Sequence, residues 1–307
     1  MPRRRGAPSD RLRAGDAGHY LVENLSTIDV QPLSAALGAV VGDVDLRAPS
    51  DGDVREIHRA LLGHGVLFFR DQPLSDDEHL ALATRFGEPA YFPIIERFVG
   101  GGNPLGFITD TAESPPDADG WHTDVTWIEE PPKMALLQAM DIPERGGDTM
   151  WADLHAAYEA LSAPMQGLCR RLSVVHSVSP VIVNAFRARA GDDLADKIAV
   201  AFPPVVHPLV RTHPETGRDA LFVAGSFMTA VDGMHEDESA VFLAFLNHHI
   251  ENPNFHVRWS WRPGDLAIWD ERCTNHRALS DHYPQYRQMR RCTVKGDRPV
   301  CGARSDT

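Results

Sequence analysis

Residues 120–127 read GWHTDVTW, with a histidine and an aspartate two apart among threonines, a valine and two tryptophans. Residues i and i+2 of a strand point to one face, so the spacing predicts a strand that aims His122 and Asp124 at one point. An imidazole nitrogen with a carboxylate oxygen suits a borderline divalent ion. A second, distant histidine would complete a two-histidine, one-carboxylate set on one octahedral face, leaving three open positions for iron redox chemistry. The chain has 15 histidines, so the pair alone does not select that third ligand. His276, in LAIWDERCTNHRAL, follows an apolar run that ends in polar residues, a good place for a side chain entering the mouth of a barrel. Arg287 lies eleven residues later and Arg291 four beyond it, on the same nominal face of a strand-like segment. Inward-facing arginines are costly unless they meet anions. Parity sends Arg290 the other way, toward solvent or surface acids.

Positioning these groups requires strands and turns. Helical spacing of apolar residues predicts helices over 53–65, 78–87, 153–162 and 236–252, and short apolar runs predict strands over 66–70 and 133–140. The stretch 37–46 reads as a strand approach with glycine turns, and Gly146 to Thr149, GGDT, as a turn. Two strands are expected around Pro-Glu-Thr-Gly within 207–224, and RPGD at 262–265 is expected to turn between two strand-like arms. The segment 186–205, charged at its start and proline-punctuated at its end, suits an excursion over an active site better than a core element. No repeated βαβ period, GxGxxG or Walker A fingerprint is present. The expected class is mostly β with flanking helices, a loose tail over 1–22 and one domain over 23–307.

The 307 residues, 43% hydrophobic, suffice for a large core. With 30 Lys and Arg against 43 Asp and Glu, the net charge of −13 disfavours nucleic acid or an anionic membrane as partner, so a small molecule is expected. No apolar run approaches a membrane span and no apolar stretch follows MPRRRG, so the cytoplasm is the expected compartment. Four cysteines without a CxxC pair suggest neither a zinc site nor a disulfide framework.

WHTDVTW, PERGGDTMWAD, RTHPETG, and the terminal RPGDLAIWDERCTNHRA and YRQMRRCTVKGD together resemble the taurine dioxygenase family of iron(II)- and 2-oxoglutarate-dependent oxygenases, taurine-type and alkylsulfatase-type members alike. The likeness runs from about residue 28 to 299. It implies a distorted double-stranded β-helix, or jelly roll, with His122, Asp124 and His276 as ligands of Fe(II). It also implies that Arg287 and Thr149 hold the distal carboxylate of 2-oxoglutarate. Oxygen (O2) would be the second cosubstrate, succinate and CO2 the by-products, and hydroxylation the reaction. Where the hydroxylated carbon bears a sulfonate, sulfate or ether oxygen, the product would fragment. A carboxylate at Asp124 agrees with hydroxylation, since a halogenating member would leave that position small. Homo-oligomers are also a family expectation.

Arg291 matches the position that binds the sulfonate in taurine-cleaving members. Those members place a histidine where this chain has Phe92, before Pro93, and an asparagine where it has Ala118. Both differences remove polar contacts that compact, zwitterionic taurine would use. Tyr91, Phe92, Phe186, Phe227 and Met228 suggest an apolar or aromatic wall around one anion anchor. An organic acid, alkyl sulfonate or alkyl sulfate is therefore favoured, with aryloxyacetates and natural-product hydroxylation as alternatives. A metal-binding jelly roll without turnover is the non-enzymatic alternative, and it would not need Arg287. Trp121 and Trp127 fall by strand parity on the face opposite the ligand pair and are expected to support it by packing. Asp270 is expected either to brace a neighbouring group or to cap a turn, and His176, His207 and His213 to be structural or substrate-facing.

Overall fold

Alternation within VLFF sets the layering: Val66 and Phe68 pack into one apolar cluster, Leu67 and Phe69 into another on the opposite side. A strand buried on both faces lies between two layers. The computed structural model describes residues 28–302 except 99, 101, 117–119, 181, 185, 186 and 188–190. The expected tail over 1–22, Ala118 and Phe186 lie outside the described residues.

The strands are β1 (Asp29–Pro32), β2 (Ala39–Gly42), β3 (Val66–Phe69), β4 (Pro89–Ala90), β5 (Gly106–Asp110), β6 (Met134–Asp141), β7 (Thr149–Asp153) and β8 (Ser173–His176). There follow β9 (Val205–Pro208), β10 (Val210–Thr212), β11 (Asp219–Leu221), β12 (Met228–Val231), β13 (His256–Trp259), β14 (Leu266–Asp270), β15 (Thr274–Ala278) and β16 (Arg287–Val294). The main sheet has the order β1-β2-β3-β14-β6-β16-β4, with β5 also on β16; only β2 and β3 pair in parallel. A second sheet, β13-β7-β15, faces it across Phe68, Leu137, Trp151, Trp259, Trp269 and Met289. β12-β8-β9 and the β10-β11 hairpin complete a mostly β architecture.

Two helices cover the outer face of the main sheet. Asp51–His64 starts at a capping box of Ser50 and Asp53, and Asp76–Phe86 at one of Ser75 and Glu78. Each box satisfies amides that a helix start leaves unpaired, so these boundaries are set locally. Ile57, Leu61, Leu82 and Phe86 are the residues they bury against the sheet.

RPGD does form a turn, closed by a hydrogen bond from Asp265 N to Arg262 O of 3.0 Å. Its arms do not form a hairpin with each other: β13 pairs with β7, whereas β14 pairs with β3 and β6. The turn therefore carries the chain from one sheet to the other. The segment 186–205 also departs from the expected excursion, because helix Asp192–Ala201 buries Ala195 and Ile198, the latter in the core. Asp192 and Asp193 sit in its first turn, where carboxylates complement the helix N-terminus.

Arg290 faces away from Arg287, Met289 and Arg291, but it does not reach solvent. It is 1% exposed beneath helix Asp76–Phe86. Its guanidinium donates to Asp76, Gln138, Leu74 O (2.6 Å) and His79 Nδ1 (3.1 Å). Packing of that helix over β16 buries a charge that a two-layer reading leaves outside, and Asp76 supplies its counter-charge.

No helix among the described residues is long and apolar enough to cross a membrane.

Burial and the Arg290 charge lower the His79 pKa to about 3, and burial with His207 alongside does the same for His176. Both are neutral when folded and basic near pH 6.5 when unfolded, so the unfolded chain binds more protons below that pH. Their stabilising contribution is complete above pH 6.5 and declines as pH falls toward 3. Each is expected to remove about 2 kcal/mol of stability between pH 7 and pH 5. Urea denaturation of metal-free His79→Gln, which keeps an acceptor for Arg290, should show a pH dependence smaller by that amount. A variant whose stability falls with pH as steeply as the parent's would refute this.

Candidate metal centre and anion pockets

His122 and His276 exchange two backbone hydrogen bonds, His122 N to His276 O at 2.9 Å and His276 N to His122 O at 2.7 Å. This isolated antiparallel bridge attaches the 120–128 segment to the edge of β15. The strand expected at 120–127 is therefore a single bridge followed by a turn beginning at Asp124. Val125 has φ 55°, a left-handed conformation that is rare for a β-branched residue. The reversal, not strand parity, brings Asp124 back toward His122. Thr123 is buried on the other side, where its hydroxyl donates to Thr274 O (3.0 Å) and accepts from Asn275 Nδ2 (3.0 Å). Trp121 and Trp127 still pack into the core, as expected, though no strand places them there.

Asp124 Oδ1 lies 3.7 Å from His122 Nε2 and 4.0 Å from His276 Nε2. All three donor atoms fall within 4.8 Å of one another, leaving room for one ion between them. His122 Nδ1 donates to Gly120 O at 2.8 Å, which fixes the tautomer that presents a lone pair on Nε2. Burial, followed by the neighbouring His122, lowers the His276 pKa to about 3, so its imidazole is neutral. Burial alone would raise the Asp124 pKa, but Arg291, His276 and His122 outweigh it and bring it to about 2. The neutral imidazole of His276 and the ionised carboxylate of Asp124 are in the protonation states that ligation of a divalent ion requires.

Arg291 Nη1 donates to Asp124 Oδ2 at 2.7 Å, leaving Oδ1 turned to the histidines. Arg291, Thr293 and Lys295 line one side of a cavity of about 410 Å³, with Tyr91, Phe92, Val125 and Ile128 among its other walls. Phe227 is edge-on to His122, ring centres 6.2 Å apart. Met228 is buried in the core beside β8, and neither it nor Phe227 lines that cavity.

Arg287 lies on the same face of β16 as Arg291. Its Nε donates to Gly147 O at 3.0 Å, and Nη1 is 3.6 Å from Asp110 Oδ2. Those contacts engage two of the five guanidinium N–H groups, so the fork keeps donors for a second carboxylate. His282 Nε2 is 3.2 Å from the same Asp110 oxygen and completes the cluster. Gly147 has φ 71°, and a Cβ there would come within 2.9 Å of Arg287 Cδ. The expected turn over GGDT is instead an irregular lead into β7, whose glycines provide both a left-handed backbone and close approach to the arginine. Thr149 Oγ1 accepts from Trp261 Nε1 at 2.9 Å, which leaves its own hydroxyl proton free to donate.

His213, Asp270 and Cys273 form a second buried cluster of metal-binding residue types. Its lone pairs are already engaged. His213 Nδ1 accepts from Glu215 N (3.2 Å) and Thr216 N (3.1 Å), so Nε2 carries the proton and donates to Asp270 at 3.0 Å. Asp270 also receives three Arg272 N–H groups, from the backbone N and Nε at 2.9 Å each and from Nη2 at 2.6 Å. His213 and Asp270 therefore join the β10-β11 turn to the end of β14. His207 Nε2 donates to Thr126 O (2.9 Å) and Ile128 O (3.0 Å), and His176 Nδ1 meets Thr126 Oγ1 at 3.0 Å. Both histidines hold the turn that carries Asp124 from behind, so neither faces the cavity.

Glu271 and Asp110 had no signal in the sequence. Glu271 is fully buried, its Oε2 accepting Asp124 N at 3.1 Å. Burial, then the adjacent Asp124 carboxylate, raises its pKa well above the usual range.

The chain is 33% identical over 276 residues to an alkylsulfatase of Acinetobacter baylyi, covering 88% of this chain and 86% of the relative. It is 35% identical over 279 residues to an alpha-ketoglutarate-dependent sulfate ester dioxygenase of Pseudomonas putida, covering 89% and 91%. A taurine dioxygenase crystal structure from Burkholderia xenovorans superposes with a TM-score of 0.75 at 37% identity, covering 89% of this chain and 93% of that one. The family model for taurine catabolism dioxygenase TauD, TfdA matches residues 29–293, most of the chain, and the chain belongs to that family.

Proposed function

We propose that this protein is a non-haem iron, 2-oxoglutarate-dependent dioxygenase that hydroxylates an alkyl sulfate or alkyl sulfonate. The observation that carries the reading is the convergence of His122, Asp124 and His276, with Arg291 bridging from Asp124 to the cavity. We read the facing sheets as a distorted double-stranded β-helix. Bound at the triad, Fe(II) with 2-oxoglutarate and O2 supplies the oxidising chemistry and yields succinate and CO2.

The chain's own residues supply binding, charge and exclusion of water. His122 and His276 offer Nε2, and Asp124 offers Oδ1 while Arg291 holds Oδ2. Arg287 directs its remaining N–H groups at the distal carboxylate of 2-oxoglutarate, and the Thr149 hydroxyl donates to the same group. Arg291 has further N–H groups for a sulfate or sulfonate oxygen. The buried guanidinium of Arg287 and the partly buried one of Arg291 offset the charges of a dianionic cosubstrate and an anionic substrate, which would otherwise be costly to desolvate. Tyr91, Phe92, Val125 and Ile128 present apolar surface for the carbon chain. With Phe92 in place of a polar side chain, this wall favours an alkyl group over the ammonium of taurine. Hydroxylation of the carbon bearing the ester oxygen of an alkyl sulfate gives a hemiacetal-type product, which collapses to an aldehyde and releases hydrogen sulfate.

Anaerobic addition of Fe(II) and 2-oxoglutarate should produce a weak visible charge-transfer band, and admitting O2 with a medium-chain alkyl sulfate should give succinate, aldehyde and sulfate in equal amounts. Absence of the band in folded, iron-loaded protein would sink the oxygenase reading. A band with turnover of taurine alone would leave the oxygenase and discard the substrate class. Asp124→Ala is expected to abolish the band and turnover together. Arg287→Ala should raise the KM for 2-oxoglutarate by about a hundredfold, through loss of a charge-assisted pair. Gly147→Ala should shift the same KM in the same direction by displacing Arg287. An unchanged KM in either variant would remove Arg287 from the cosubstrate pocket.

A further inference from the structure

Glu271 sits where a carboxylate is expensive: fully buried, and beside the carboxylate of Asp124. Its two oxygens make separate contacts. Oε2 accepts the backbone N–H of Asp124 at 3.1 Å, the amide that enters the left-handed turn at Val125. Oε1 accepts the indole N–H of Trp269 at 2.7 Å, and the Trp269 ring packs against the His276 imidazole, centres 5.0 Å apart.

The backbone of Glu271 is itself fixed. Its amide donates to Lys133 O at 3.0 Å, and the preceding Asp270 is anchored by Arg272 and His213. Glu271 therefore links the rigid end of β14 to both the turn carrying one donor and the ring flanking another. We propose that Glu271 is a positioning residue for the metal centre: one carboxylate oxygen orients Asp124 through its amide, and the other orients His276 through the Trp269 indole. The inference rests on the metal-centre reading above and adds a residue to it.

Glutamine at this position offers one acceptor and turns an NH2 group toward one of the two donors, so it breaks one arm while preserving volume. Mn(II) binding to the full chain, without cosubstrate or substrate, measured by the electron paramagnetic resonance of free Mn(II), reads the effect directly. Glu271→Gln should weaken Mn(II) binding by roughly ten- to a hundredfold, the range for partners that orient metal ligands. Its metal-free melting temperature should stay close to the parent's, and its Co(II) absorption spectrum should change. Trp269→Phe keeps a ring against His276 but removes the N–H, and should weaken Mn(II) binding by a smaller factor.

Parent-like Mn(II) affinity in Glu271→Gln would overturn the inference, as would lost affinity matched by a large fall in metal-free melting temperature. If Glu271→Gln does not fold, Trp269→Phe decides: weaker binding at parent-like stability supports the assignment, and unchanged binding overturns it. A parent chain that binds no Mn(II) overturns the metal-centre reading and this inference with it, whereas a binding parent with an unaffected variant overturns this inference alone.

Discussion

The site depends on the two backbone hydrogen bonds between His122 and His276. They are short and mutual, and they connect a loop residue to a strand residue far away in the chain. Once the bridge forms, the imidazole ring centres lie 4.2 Å apart, and only the direction of the following turn decides where Asp124 goes. Val125, the next residue of that turn, takes the left-handed conformation. Thr123, Asn275, His176 and His207 hold the segment on its buried side, so local strain is opposed by contacts from several elements.

Charge is the second constraint. β16 carries three arginines on its two faces: Arg287 and Arg291 toward the second sheet, Arg290 toward the covering helix. Each guanidinium is buried or nearly so, and each has a carboxylate within reach: Asp110, Asp124 and Asp76 respectively. The pairing differs in consequence. Arg290 is surrounded by acceptors and serves the packing of helix on sheet. Arg287 and Arg291 retain donors on their open sides, which is what an anion-binding role requires.

Much of the site was legible because its chemistry uses few residue types at recognisable spacings. His122, Asp124 and His276 could be named from composition, order and resemblance, and Arg287 with Arg291 from the four-residue interval that keeps strand residues on one face. The reasoning that put His122 and Asp124 together was nevertheless incorrect, since the 120–127 segment does not form a strand. Arg290 takes the expected face and meets a surface acid, Asp76, but its burial was not legible, because alternation specifies only the opposite face and not whether a helix covers it. RPGD was legible as a turn between two strands, but turn chemistry identifies a reversal without naming the partners of those strands. Glu271 and Asp110 left no sequence signature, as a lone acidic residue has the same local appearance at the surface and in a core.

By itself, the sequence determined the elements whose causes are local: the capped helices, the apolar strands buried on two faces, and the residue types available to bind a metal and two anions. Only the tertiary structure decided which oxygen of Asp124 faces the histidines, which arginines keep donors for a ligand, and which acid braces the centre. Those outcomes depend on long-range backbone pairing and on the desolvation of charges. Both are set by what the fold brings alongside a residue, not by its neighbours in the chain.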